Sequence, residues 1–291
     1  MRSDFCVFIL TNRRPDRVTT YRTLVELCGY TGAVFLVIDD EDPTGDEYRQ
    51  IYGDKVICFS KKEEAKNFDE ANNFNDRRSP VYARNACRRL AMERGFRFYM
   101  QLDDDYNSFG YRWFHIPWIP IRLTMDRMLE ELIGYLEATP QMLTIAMSQG
   151  GDHIGGRRNV EQLRMRRKAM NSFIADVERP LVFTGVLNDD VNTYVLGGNR
   201  GDLFFTVLQV QLNQRQTQAN AGGLTEMYLD SGTYVKSFYT VMMAPSCVKI
   251  GLMGDHRNPE NQRIHHVINW RRAVPKIVPE SVRKPSMSEA D

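Results

Sequence analysis

FRFYMQLDDD, residues 96–105, is the stretch that decides the fold. Phe96 to Leu102 is a mostly apolar run of strand length, and it stops at three successive aspartates, Asp103, Asp104 and Asp105. Nearly continuous apolar strands fit a sheet covered on both faces. Polar residues beyond the carboxyl ends of such strands are where open α/β sheets bind ligands. The residues before this stretch, Ser79 to Glu93, put Val81, Ala86, Cys87, Leu90 and Ala91 on one helical face. Earlier still, Phe5 to Leu10 is wholly apolar and ends in Thr11-Asn12-Arg13-Arg14-Pro15. Arg17 to Leu27 has helical spacing and is stopped by Gly29 and Gly32. Ala33 to Ile38 ends in Asp39-Asp40, and Val56 to Phe59 is a further short strand. Short apolar strands alternating with amphipathic helices predict an α/β fold: a Rossmann-like, mostly parallel sheet flanked by helices.

The second half is less regular. Thr124 to Ala138 predicts a helix with Thr124 as its N-cap, and Leu143 to Met147 a core strand. Gly150 to Lys168 reads as a loop. Thr193 to Leu196 and Leu203 to Leu212 read as strands, and Leu224 to Met243 as a helix bent near Gly232. Periodicity is lost from Pro275. One domain over 1–278 with a tail over 279–291 is expected.

Composition narrows the function. Of 291 residues, 42% are hydrophobic and 26% charged, ordinary globular values that exclude a disordered polymer, a collagen-like repeat and a coiled coil. No stretch of about 18 apolar residues is present, so no membrane-spanning helix is expected. The start, MRSDFCVFIL, is not expected to be a signal peptide. Lys and Arg number 38 against 37 Asp and Glu, a net charge of +1, which predicts no general nucleic-acid coat. A local basic patch remains compatible with that balance. Cys6, Cys28, Cys58, Cys87 and Cys247 are odd in number and form no CxxC pair. A disulfide framework and a structural zinc site are not expected, and the thiols read as those of a cytoplasmic protein.

In an extended segment alternate side chains point the same way. Asp103 and Asp105 can therefore reach one point while Asp104 faces elsewhere. Two carboxylates at this spacing suit Mg²⁺ or Mn²⁺ that keeps waters and substrate phosphates. An acidic turn is the simpler reading of a lone DxD, but here the other strand ends suit ligand binding too. No GxxxxGK[ST] or GxGxxG occurs, so neither P-loop hydrolysis nor dinucleotide binding is supported. Arg13, Arg14, Arg84 and Lys61 can offset phosphate charge, with Arg84-Asn85 on the helix before the DxD strand. His256, His265 and His266 cluster late in the chain, and a neutral imidazole can complete a carboxylate metal site. Adjacent extended residues alternate faces, so at most one of His265 and His266 is expected there. A second acidic cluster, Asn188-Asp189-Asp190, offers a base for an acceptor hydroxyl. Arg157, Arg158, Arg164, Arg166, Arg167 and Lys168 form the densest basic segment, suited to a phosphate backbone.

FCVFILTNRRP, FLVIDDED, ARNACRRLA and FYMQLDDDY together resemble the nucleotide-sugar half of GT-A glycosyltransferases. GVLNDDVNTYVLGG, DSGTYVKSFY and RIHHVINWRRAVPKI resemble, more narrowly, the TET-associated DNA glycosyltransferases, a family with base J glucosyltransferase and bacteriophage members. The resemblance covers roughly residues 5–278. It implies a nucleotide-sugar half over 1–108, an acceptor half over 109–278, and an enzyme of the cytoplasm, that of a bacterial host if phage-encoded. The implied reaction moves a sugar from a UDP-sugar to the hydroxyl of 5-hydroxymethylcytosine or 5-hydroxymethyluracil in DNA, with inversion. Thr11, Arg13, Asp39, Asp40, Arg84, Asn85 and Asp104 are then expected at the donor. Asp103 and Asp105, with His265 or His266 and His256 as a third candidate, are expected at the metal, and Asp189 or Asp190 as the base. The alternative is a GT-A enzyme acting on a saccharide or protein. A nucleotidyl transferase is disfavoured because TNRRPDR has no glycine, and a non-enzymatic binding module would show no metal-stimulated UDP-sugar hydrolysis.

Overall fold

A computed structural model describes residues 1–72, 76–113, 116–153, 172–214, 235–254, 262–273 and 277. Its central element is a nine-stranded sheet. In chain order the strands are β1 (Phe5–Leu10), β2 (Ala33–Asp39), β3 (Val56–Phe59), β4 (Phe98–Asp103), β5 (Tyr106–Trp113), β6 (Ile116–Pro120), β7 (Met142–Gln149), β8 (Phe173–Asp176) and β9 (Leu203–Gln214). Their spatial order is β3-β2-β1-β4-β8-β7-β9-β5-β6. β3, β2, β1 and β4 are parallel neighbours, and β7 pairs β9 in parallel. Only β5 and β8 run against the others, so the sheet is mostly parallel in strand direction, as expected.

The strand alternation sorts the core into two layers. Cys6, Phe8 and Leu10 of β1 and Tyr99 of β4 pack with Val81, Tyr82, Ala86, Cys87 and Leu90 of the helix Val81–Glu93. Phe5, Val7 and Ile9, with Phe98, Met100 and Leu102, face the other way. They meet Met125, Met128, Leu129, Leu132, Ile133 and Leu136 of the helix Met125–Glu137. β1 is apolar throughout because helices cover both of its faces. A second sheet pairs β10 (Val248–Met253) with β11 (Arg263–Ile268), antiparallel. Four cysteines are buried and Cys58 is exposed, with no disulfide among the described residues. No helix among the described residues is long and apolar enough to cross a membrane.

Two expectations for local structure change. Thr193 to Leu196 is not a strand: it lies inside the helix Asp189–Arg200. Its β-branched residues mislead, but Val191, Tyr194 and Val195 share one helical face against the core, and the Thr193 hydroxyl bonds back to Asp189 O at 2.6 Å. Arg17 to Leu27 is a broken succession of three short turns, Pro15–Arg17 (3-10), Thr19–Arg22 (α) and Thr23–Leu27 (π). Of the helix expected over 224–243, residues 235–243 are helical and the rest lies outside the described residues.

Leu36, at the centre of β2, is fully buried. Leu36→Ala is expected to cost about 2–5 kcal/mol, read as a lower urea midpoint with an unchanged denaturant slope. A cost under about 1 kcal/mol would contradict the layered core.

Candidate functional site

The aspartate turn is held from beneath. Thr20 donates its hydroxyl to Asp103 O at 2.6 Å and receives Tyr106 N at 2.8 Å, while Thr20 N reaches Asp104 O at 3.0 Å. These bonds clamp the backbone on both sides of the turn, and alternation holds within it. Asp104 points inward, 2% exposed, whereas Asp103 and Asp105 stay half-buried at the strand end. A directional relay fixes Asp104: Arg14 N donates to Tyr48 OH at 3.0 Å, Tyr48 OH to Thr11 Oγ1 at 2.7 Å, and Thr11 Oγ1 to Asp104 Oδ2 at 2.7 Å. Arg14 Nε adds an ion pair to Asp104 at 3.4 Å. Burial still raises the Asp104 carboxyl above its usual range, against the pull of Arg14 and Thr11. Thr11 and Asp104, expected at the donor, are thus buried and engaged with each other, supporting the turn from below.

The strand-end residues of β1 and β2 form a second cluster. Asp39 is buried, accepts Asn12 Nδ2 at 2.9 Å, and pairs with Lys61 Nζ at 3.1 Å. Asp40 accepts Lys61 N at 3.0 Å. Arg13 sits at φ +56 and donates its backbone N–H to Asp42 at 2.7 Å, leaving its side chain exposed. Lys61 is therefore committed to Asp39 and Glu41, and Arg13 carries the exposed guanidinium of this loop.

Arg84 and Asn85, expected at the donor, are both engaged within the protein. Asn85 grips the backbone of Phe183 twice, Nδ2 to Phe183 O at 3.0 Å and Phe183 N to Oδ1 at 2.8 Å. Arg84 is buried and donates Nη1 to Asp189 Oδ2 while its Nη2 lies 3.9 Å from Asp103 Oδ1. Burial alone would lower the guanidinium's pKa, but Asp189, Asp103 and Asp190 overcome it and the net shift is upward. One cation thus joins the DxD carboxylate to the second acidic cluster.

The acidic cluster is shaped by its own backbone. Gly185 has φ +83, and a Cβ there would meet Tyr239 at 2.8 Å, so glycine is required. Asn188 adopts the left-handed conformation and sends Nδ2 to Lys236 O at 2.8 Å and Thr240 Oγ1 at 2.9 Å. Asp189 and Asp190 then open the helix Asp189–Arg200, where the helix dipole favours negative charge. Asp189 is buried, and burial raises its carboxyl against the opposing pull of Arg84. Asp190 is half-buried.

The late histidines meet this cluster through the helix 235–243. Ser237 Oγ donates to Ile264 O of β11 at 3.1 Å. The His265 and His266 rings lie 4.1 Å apart, centroid to centroid, so they stand together despite strand alternation. Burial first, then the charges of His265 and Lys236, hold His266 down to about 4, against the attraction of Asp190. His266 is therefore neutral at pH 7, and its buried Nδ1 has no hydrogen-bond partner among the described residues. Burial lowers Lys236, while Asp190 and Asp189 act to raise it and Arg263 to lower it. Lys236 and Thr20 escaped the sequence reading. Lys236 sits in the quoted segment DSGTYVKSFY, and its spacing from Asp190 gives no signal because the two meet only in the folded chain.

The residue types fit a divalent ion in part. Asp103 and Asp105 are two carboxylates at one strand end, the donor set on which Mg²⁺ or Mn²⁺ with waters and phosphates relies. No group of three or more His, Cys, Asp or Glu set to cage a metal occurs among the described residues. His265 and His266 therefore do not join Asp103 and Asp105 in such a group. His256 and the basic residues Arg157, Arg158, Arg164, Arg166, Arg167 and Lys168 lie outside the described residues.

A family model, TET-associated glycosyltransferase, matches residues 5–223, most of the chain. The chain belongs to that family. This TET-associated glycosyltransferase has an α/β fold built on a mostly parallel sheet. No curated protein matches it. Among solved structures it is similar to glucosyl-3-phosphoglycerate synthase from Mycobacterium tuberculosis in complex with Mg²⁺ and uridine diphosphate, at 12% identity, 91% of this chain, 88% of that chain and TM-score 0.47. The same synthase with Mn²⁺, UDP-glucose and phosphoglyceric acid gives 10%, 86%, 84% and 0.48. A mycobacterial protein gives 14%, 91%, 84% and 0.45.

Removing the Arg84 guanidinium leaves Asp189 charged and buried. Arg84→Leu is expected to cost about 3–5 kcal/mol at pH 7. The abandoned carboxyl then titrates higher in the folded than in the unfolded chain. The variant's stability is thus best below the ordinary aspartate value of about 3.9 and falls as pH rises through the folded value. Melting temperatures of the variant from pH 4 to 7, referred to wild type, check this; a difference that does not grow with pH would contradict it.

Proposed function

We propose that this glycosyltransferase moves a sugar from a UDP-sugar to the hydroxyl of a 5-hydroxymethylpyrimidine in DNA, with inversion at the sugar carbon. The family supports the DNA acceptor, and the observation that carries the chemistry is the division of labour between the paired aspartates. Arg84 engages Asp189 inside the protein, so Asp190, the half-buried member of the pair, is the carboxylate left to serve as the base.

Asp103 and Asp105 would hold Mg²⁺ or Mn²⁺, whose remaining positions would be filled by water and the donor diphosphate. When bound, the ion supplies neutralising charge to the departing diphosphate. Asp190 takes the proton from the acceptor hydroxyl. The hydroxyl oxygen forms the new bond to the sugar carbon from the face opposite UDP, and the old carbon–oxygen bond breaks with its electron pair leaving on UDP. Arg13 and the Asp39-Asp40 turn border the donor. The basic segment over 157–168 would grip DNA phosphates, and the target base would leave the duplex to reach the pocket.

Nucleoside mass spectrometry tests this directly, after incubating hydroxymethylpyrimidine DNA with a panel of UDP-sugars. The expected result is a mass increase of one sugar on the modified base, dependent on Mn²⁺ or Mg²⁺. Asp190→Asn is expected to lower kcat by about 10²–10⁴. Unmodified DNA together with sugar transfer to a saccharide or protein would overturn the DNA assignment in favour of the other acceptor class. An Asp190→Asn enzyme at wild-type rate would remove Asp190 as the base.

A further inference from the structure

Beyond the turn at Asp105, β5 and β9 carry a chain of polar side chains on one face. Arg112 Nη1 donates to Gln211 Oε1 at 3.0 Å, Gln211 Nε2 to Asn213 Oδ1, Asn213 Nδ2 to Ser108 Oγ at 3.1 Å, and Ser108 Oγ to Asn107 Oδ1 at 3.1 Å. Ser108 stands opposite Asn213 and Gly110 opposite Gln211, so these positions share a face. Phe109, Val210 and Leu212 point the other way, into the core. The order of donors is fixed from one end. A guanidinium can only donate, so Gln211 must turn its oxygen to Arg112 and its nitrogen to Asn213. Each amide is therefore held in one orientation without help from a ligand.

Two features make this face suited to a flat heterocycle. Gly110 has no Cβ, and one placed there would lie 2.4 Å from the Trp118 ring, so the missing side chain lets an indole lie on the strand beside the amides. Trp118 Nε1 is buried without a hydrogen-bond partner among the described residues. A carboxamide offers two donor hydrogens and two lone pairs, and the half-buried Asn213 has used one of each. Its remaining donor and acceptor can meet the edge of a base, as amides do in nucleic-acid recognition. The chain also begins at the reacting end of the site. Gln214, next to Asn213, donates to Asp105 Oδ2 at 3.3 Å. Ser108 is three residues along β5 from Asp105, about 10 Å at strand rise.

We propose that Asn213, oriented by Gln211 and Arg112 and flanked by Trp118, is the specificity-determining residue that reads the hydrogen-bonding edge of the acceptor pyrimidine. The inference rests on the DNA acceptor assigned above. Gln211, buried at 3% exposure, acts through Asn213 and is a positioning residue.

The test compares kcat/KM on two otherwise identical DNAs, one carrying 5-hydroxymethylcytosine and one 5-hydroxymethyluracil. Cytosine presents an amino group where uracil presents a carbonyl, and a carboxylate can only accept. Asn213→Asp is expected to move the ratio toward the cytosine substrate by about tenfold or more, the discrimination worth about 1–3 kcal/mol that one matched edge supplies. Asn213→Ser, the alternative should the aspartate variant not fold, is expected to bring the ratio toward one. A ratio unmoved in the folded variants, with wild type active on DNA, overturns the inference alone. Wild type inactive on both DNAs overturns the acceptor assignment and this inference with it.

Discussion

The site depends on one buried cation. Arg84 lies inside the protein between Asp103, at the end of β4, and Asp189, at the start of the helix Asp189–Arg200. A guanidinium cannot shed its proton to escape burial, so the carboxylates around it must stay ionised to balance it. The end of β4 and the acidic helix are thereby tied in one electrostatic unit, although 105 residues separate Arg84 from Asp189 in the chain. Asn85, one residue on, repeats the tie with neutral groups by gripping the Phe183 backbone. Fixing Asp189 in this way distinguishes the two adjacent aspartates: one is buried and balances Arg84, and the other is half-buried.

The same economy governs the aspartate turn. Three carboxylates in a row repel one another, yet only two are presented at the strand end. Asp104 is drawn under β1 by Thr11, Tyr48 and Arg14, and Thr20 bonds the backbone on both sides. The proposed metal site would need such support, because carboxylates held by packing and hydrogen bonds keep their geometry as a ligand comes and goes.

Much of this architecture was legible in the chain itself. β1 to β4 announce themselves by apolar runs that end in polar residues, since burial on both faces leaves no room for alternation. The DxD turn follows from the period of an extended strand. The helix Asp189–Arg200 was less legible because Thr193 and Val195 have strand propensity, and only the core beneath them decides the matter. Arg84 read as a possible phosphate ligand because a sequence shows a cation without its counter-ion; its partner lies far along the chain. Lys236 and Thr20 carried no signal at all. Their roles arise from Asn188 and from the backbone of the aspartate turn, contacts that no local pattern encodes.

A double-mutant cycle on Arg84 and Asp189 tests the central claim most directly. Unfolding free energies of wild type, Arg84→Leu, Asp189→Leu and the double variant are to be compared at pH 7. The account predicts strong coupling: the double variant loses less stability than either single one, because replacing a buried ion pair by apolar groups costs far less than orphaning one charge. Losses that simply add, to within about 0.5 kcal/mol, would show that Arg84 and Asp189 stand independently and that nothing in the protein commits the first aspartate of the pair.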